Sequence, residues 1–367
     1  MPTMKKLTLF TALTIAALFV LGCLTFFGLT IWAVTSDDET VVTPWPPYSV
    51  SNLGSNFEKL WEISNTPGTR TTNSSNLAVS HEMVYFITEG PAEAPPTMLS
   101  LTAFDGFSGE VIWRNDHEYW PGLFHNSTYL YAIIDGNHII VYEPETGERV
   151  WGTKLQGIRG VSHVTATETQ LFIDGVPDKF FILDAATGRQ LRAASSSGDM
   201  GYTAFLIEDD TAYWHAWPLF LVSTNLQTEE KNWEQSFDGG FEKTPIFTEE
   251  LIFVVSFWGQ LFALDKETGD ILWQTAPLSS LTDAERVVSN VAVADGVVYY
   301  LTQDSQLRAL NMYTGELLGT VAFTPSLFAL DTDIVNHRFD VAADGNLIAV
   351  YFGSSYQIFT FRFTAGQ

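Results

Sequence analysis

From about residue 56 to the C terminus the chain is written in short apolar runs separated by turn-forming residues. Leu251-Ile252-Phe253-Val254-Val255 and Val297-Val298-Tyr299-Tyr300-Leu301 are typical. Rich in β-branched and aromatic side chains and too short for helices, they predict strands. Turns such as Ala294-Asp295-Gly296 join such runs into antiparallel pairs. The pattern predicts an all-β globular part.

The runs belong to a repeat. Leu101-Thr102-Ala103-Phe104-Asp105-Gly106-Phe107-Ser108-Gly109-Glu110-Val111-Ile112-Trp113 and Leu261-Phe262-Ala263-Leu264-Asp265-Lys266-Glu267-Thr268-Gly269-Asp270-Ile271-Leu272-Trp273 share one frame: an apolar strand, an acidic residue, Gly four positions on, and Trp four positions after that. The frame returns at Glu143, Gly147 and Trp151, at Asp184 and Gly188, and at Asn311 and Gly315. A degraded copy has Asn225, Glu229 in the glycine column, and Trp233. The column falls at 109, 147, 188, 229, 269 and 315, a period of about 40 residues that marks a repeat architecture. Asp or Asn opens a tight turn by accepting from nearby backbone N–H groups, Gly supplies a positive φ, and Trp lies on the following strand where it can pack between sheets. With two more strands upstream of each turn, every period is one four-stranded propeller blade.

The ends extend the count to seven. Leu347-Ile348-Ala349-Val350-Tyr351-Phe352 and Gln357-Ile358-Phe359-Thr360-Phe361 supply the middle of a blade whose last strand is missing. Phe57-Glu58-Lys59-Leu60-Trp61-Glu62-Ile63 reads as a last strand with no blade before it. Pairing the two closes a ring and removes open sheet edges. A seven-bladed β-propeller is the expectation, and an eight-bladed ring the alternative.

The N terminus follows another rule. Residues 7–34 form an uncharged run of 28 residues between Lys5 and Lys6 on one side and Asp37, Asp38 and Glu39 on the other, long enough to span a bilayer. The flanking charges place residues 1–6 in the cytoplasm and the propeller outside it. The alternative anchor is a lipid on Cys23, which follows Val20-Leu21-Gly22. Residues 35–55, with Pro44, Pro46 and Pro47, are expected to form an extended linker, leaving 56–367 as the propeller.

Composition narrows the partners. All 43 acidic side chains but only 16 of the 18 basic ones lie beyond residue 36, so nucleic acid is a poor partner. Cys23 is the only cysteine, so no disulfide forms within the chain. The seven histidines show no metal-binding spacing, and neither a phosphate loop nor a Gly-x-Ser-x-Gly elbow is present. The residues give no ground for a cofactor or metal.

The Asp-x-x-Thr-Gly-x-x-x-Trp frame, best preserved at Asp265, Thr268, Gly269 and Trp273, resembles the pyrroloquinoline-quinone-type repeat. That repeat builds quinoprotein alcohol dehydrogenases and the propeller lipoprotein of the outer-membrane β-barrel assembly machine. The dehydrogenases commonly place a disulfide of adjacent cysteines beneath a calcium-bound quinone; this chain has no such pair. The resemblance implies fold more than activity.

In a four-stranded blade the glycine turn joins strands three and four, so the turns between strands two and three and the connections between blades share the opposite face. The long insertions, at 89–97, 277–286 and 323–336, fall there, as do His215, Trp217 and Trp258, with Trp120 at the start of an interblade loop. Exposed loop aromatics are binding anchors. The expectation is a monomeric, non-catalytic propeller that binds a protein or envelope polymer through this face. The alternative is a small-ligand propeller for a sugar or quinone, or a degenerate quinoprotein enzyme.

Overall fold

A computed structural model describes residues 47–64, 77–89, 99–117, 119–176, 179–195, 202–216, 219–241, 243–276, 280, 282–325, 339–353, 355 and 357–364. All lie in the second of two compact units, Trp45–Gln367. The expected membrane span at 7–34, the thiol of Cys23 and the cytoplasmic residues 1–6 fall outside the described residues. Among the described residues no helix is long and apolar enough to cross a membrane.

The described strands form seven antiparallel sheets, which excludes the eight-bladed alternative. Blades 1 to 5 comprise residues 77–117, 119–154, 160–195, 202–236 and 246–274, each with its strands in sequence order. Blade 6 comprises 292–324 and blade 7 comprises 339–363, and each takes an extra strand from the N-terminal region. In blade 7 that strand is Phe57–Ile63, which pairs with Gln357–Phe363 so that Trp61 faces Thr360 and Phe57 faces Phe363. The two chain ends meet in one sheet. In blade 6 it is Ser49–Leu53, a fifth strand on Leu317–Thr324. This stretch, read from sequence as part of the 35–55 linker, is extended but hydrogen-bonded.

The repeat acts through one contact. Trp113 on the fourth strand of blade 1 lies over Gly147 of blade 2, where an added Cβ would come within 2.5 Å of the indole. Trp61 meets Gly109, Trp151 meets Gly188, Trp233 meets Gly269 and Trp273 meets Gly315 in the same way, at 2.8, 2.4, 2.5 and 2.8 Å. Each indole Nε1 donates to the carbonyl three residues before the glycine it covers: Gly106, Pro144, Ala185, Lys266 and Met312. All five glycines have φ between 68° and 76°. Glycine is thus required twice, by the turn and by the ring above it.

Two seams break the rule, and each break has a cause. Between blades 3 and 4, Arg192 stands where Trp would and Glu229, at φ 59°, stands where Gly would. With no indole overhead, a Cβ is tolerated. Between blades 6 and 7 the Trp position is Gly319, because blade 7 has no turn to receive a ring. Phe57 approaches Gly319 instead, and Gly54 N donates to Thr320 O.

In four of the six repeat turns the acidic or amide side chain accepts from the N–H groups two and three residues on, while Glu143 accepts from the Thr146 hydroxyl and Asp184 from Thr187 N and its hydroxyl. Asp105 accepts from Phe107 and Ser108, Asn225 from Gln227 and Thr228, Asp265 from Glu267 and Thr268, and Asn311 from Tyr313 and Thr314. Ordinarily the next residue also donates to the turn between strands one and two, as Ala185 N does to Thr169 O and Lys266 N to Glu250 O. Blade 2 has Pro144 at that position and no N–H to give.

A seam-specific stability test follows. Arg192→Trp alone gains nothing, because the Cβ of Glu229 occupies the place the ring needs, whereas Arg192→Trp with Glu229→Gly raises the thermal unfolding midpoint above either single variant. Gly269→Ala lowers stability by about 2–3 kcal/mol, through its positive φ and the collision with Trp233.

Candidate functional site

The two faces of the propeller differ in chemistry. One carries the turns between strands one and two together with the glycine turns, and it is strongly acidic: Glu82, Glu168, Asp209, Asp210, Glu249, Glu250 and Asp295 lie in the first set alone. Its lysine, Lys266, is buried, with its Nζ 2.5 Å from Glu208 Oε2 and donating to Thr248 O. The carboxylates of Asp105 and Asp265 are occupied by their own turns' backbones. Backbone N–H groups, Ser108 first, hold Asp105 below the usual carboxylate range, and the Thr187 hydroxyl does the same for Asp184. Ionised and saturated, they are poor proton donors.

The opposite face carries the turns between strands two and three and the interblade connections. Phe257 and Trp258 stand there in the turn between Leu251–Val255 and Leu261–Asp265, 55% and 39% exposed, edge-to-face at 5.3 Å. The turn is fixed from within and from both flanks. Ser256 N donates to Gln260 O, and Gln260 Nε2 to Ala276 O. Phe257 N donates to Gly240 O on the blade 4 side, and Val287 N to Gly259 O on the blade 6 side. Gly239, at φ 75°, makes room for Trp258, whose Nε1 would lie 2.4 Å from a Cβ there. Two large rings are therefore held ready without an ordering cost on binding.

The other expected anchors are placed differently. Trp120 lies within the strand Tyr119–His125, the first of blade 2, not in an interblade loop. His215 lies near the end of Thr211–Ala216, opposite Thr203 and Leu221. Trp217 is outside the described residues, as are 90–98, 277–279, 281 and 326–338 within or beside the expected insertions. Phe257 was missed; the Asp238-Gly239-Gly240 sequence beside it was the available signal, since paired glycines mark a close approach.

A second polar group links blades 5, 6 and 7. Lys243, in the segment leading into blade 5, donates to Ser289 O ahead of blade 6 and lies within the field of Asp340 on the first strand of blade 7. Asn290 clamps that strand, giving its Nδ2–H to Val341 O at 2.9 Å and accepting from Val341 N at 2.7 Å. Desolvation pulls the Lys243 amine down to about 8, against the opposing attraction of Asp340. Among the described residues no group of three or more His, Cys, Asp or Glu is placed to hold a metal ion.

The family model described as outer membrane protein assembly factor BamB matches residues 97–215 and 219–326. The chain belongs to that family. Within this PQQ-like repeat family it is 31% identical over 116 residues to the dehydrogenase subunit of a quinone alcohol dehydrogenase from Gluconobacter oxydans, 29% of this chain and 15% of that protein. It is 28% identical over 76 residues to BamB of Francisella tularensis, 21% of this chain and 15% of the relative. The chain thus spans about a sixth of either relative's length. A crystal structure of the computationally designed Ika8 protein matches with a TM-score of 0.50 and 12% identity, covering 82% of this chain and 98% of that one, which is a likeness of fold.

The titrations give a bell-shaped stability profile. Lys243 binds its proton less tightly folded than unfolded, so stability rises between about pH 8 and pH 10, by about 3 kcal/mol, and Lys243→Met removes that rise. Burial, with Glu208 nearby, raises the Tyr213 phenol to about 12, and burial raises those of Tyr85, Tyr131 and Tyr299 as well. These phenols ionise more readily unfolded, so stability falls again above about pH 10. Denaturant midpoints from pH 7 to 11.5 check both limbs.

Proposed function

We infer that the propeller is a non-catalytic scaffold that binds another protein through the face carrying Phe257 and Trp258, and that residues 7–34 hold it outside a cytoplasmic membrane. The observation that supports this most directly is the preorganised aromatic pair, exposed in a turn fixed by hydrogen bonds to both neighbouring segments. Membership of the BamB family agrees with it, since that family's description is of an outer membrane protein assembly factor. The acidic face serves solubility and repels anionic surfaces.

Photo-crosslinking in native membranes tests the reading. A photoreactive residue at position 257 in the full chain captures a discrete protein. Trp258→Asp lowers the yield at least about tenfold, the scale expected for losing a buried aromatic anchor. A probe at Val111, on the blade 1 rim, does not capture that protein. Equal capture at both positions, or capture indifferent to Trp258→Asp, defeats the proposal, and so does saturable heat on titrating the chain with calcium and pyrroloquinoline quinone.

A further inference from the structure

The first described residues run where a bound peptide would. Tyr48 is 2% exposed, and its ring stacks on Phe352 with centroids 4.2 Å apart and planes at 26°. Phe323, Phe339 and Phe359 belong to the same buried cluster. Gln357, itself 1% exposed, holds this residue by its main chain: Oε1 accepts from Tyr48 N at 2.5 Å, and Nε2 donates to Tyr48 O at 3.0 Å. Immediately afterwards Ser49–Leu53 adds antiparallel to Leu317–Thr324, with Ser49 opposite Thr324 and Leu53 opposite Val321. Of this strand only Val50 packs on the core; Ser49, Ser51, Asn52 and Leu53 are exposed.

One buried aromatic, an amide clamp on its backbone and a short main-chain ladder are the means by which sheet edges recognise extended peptides. The blades do not need this strand for completion. Blade 6 has four strands without it, and blade 7 takes its fourth from Phe57–Ile63. Among the described residues the outer edges of blades 1 to 5 carry no fifth strand. Besides Tyr48, the Gln357 amide meets Ser64, whose Oγ lies 3.3 Å from Nε2.

We propose that the outer seam between blades 6 and 7 is a peptide-recognition site for an aromatic residue followed by a short strand, and that residues 48–53 occupy it in cis as a releasable ligand. The aromatic pocket sets affinity, the Gln357 amide sets register, and the ladder tolerates any residues that leave their N–H groups free. The proposal does not depend on the function of the opposite face.

The test uses the full chain carrying Tyr48→Ala and Val50→Pro, which frees the site, and a fluorescent synthetic peptide with the sequence of residues 46–55. The peptide binds this variant saturably and binds the intact chain at least about tenfold more weakly; replacing its tyrosine with alanine, or adding Gln357→Leu to the protein, weakens binding by about the same factor. Failure to bind a freed variant that still unfolds cooperatively overturns the proposal, as does equal binding to freed and intact chains. If the variant does not fold, hydrogen exchange on the intact chain decides: amides of Ser49–Leu53 that open independently of Phe57–Ile63 support a releasable ligand, and joint opening of the two strands defeats it.

Discussion

The ring depends on an indole lying flat over a glycine of the next blade. A blade is a two-sided sheet whose apolar faces must be covered by its neighbours, and short sheets offer little to fix their mutual angle. The Trp–Gly contact fixes it with one side chain, which fills the seam with a large ring and delivers its single N–H to a carbonyl at a constant offset. The glycine answers a turn and a packing demand at once, and for that reason the two residues vanish together between blades 3 and 4, where Arg192 and Glu229 stand. The indole also has a partner within its own blade. Tyr85 lies 5.9 Å from Trp113, Tyr131 6.3 Å from Trp151, Tyr213 6.0 Å from Trp233 and Phe253 6.0 Å from Trp273.

Much of this was legible in the sequence because it is local. The acidic residue, glycine and tryptophan of one unit lie within nine positions, so a single hairpin encodes turn, bulge and anchor, and blade count follows from counting. The closing strand was legible for the same reason: the Trp61 signature had no turn before it. The second-strand aromatics, twelve residues before the turn acid or amide in blades 2, 4 and 5 and twenty in blade 1, recur in the same column and could have been found by the same alignment. They were overlooked because an aromatic in an apolar run is unremarkable on its own.

What sequence did not reveal is long-range and polar. Ser49–Leu53 has no alternating pattern, since its pairing rests on main-chain groups and all its side chains but that of Val50 face water. Tyr48 reads as part of a proline-rich linker until Gln357, 309 residues away, is seen to hold it. Trp120 looked like a loop residue because its strand, Tyr119–His125, contains Pro121 and Gly122, which ordinarily end strands. The face chosen for binding owes its case to Phe257 and Trp258, and the rigidity of that pair comes from flanking glycines that carry no chemistry of their own.

The stretch from Tyr48 to Trp61 touches blades 6, 7 and 1, so a segment made before blade 1 joins blades made well after it. A ribosome delivers the two about 300 residues apart. The circle cannot shut before Gln357–Phe363 is made, and until then no sheet holds the Trp61 indole over the glycine turn of blade 1. Closure therefore waits for Gln357–Phe363, slow for a chain whose other contacts are mostly within or between consecutive hairpins, and a product cut short before that strand would be left as an open arc with two sticky margins.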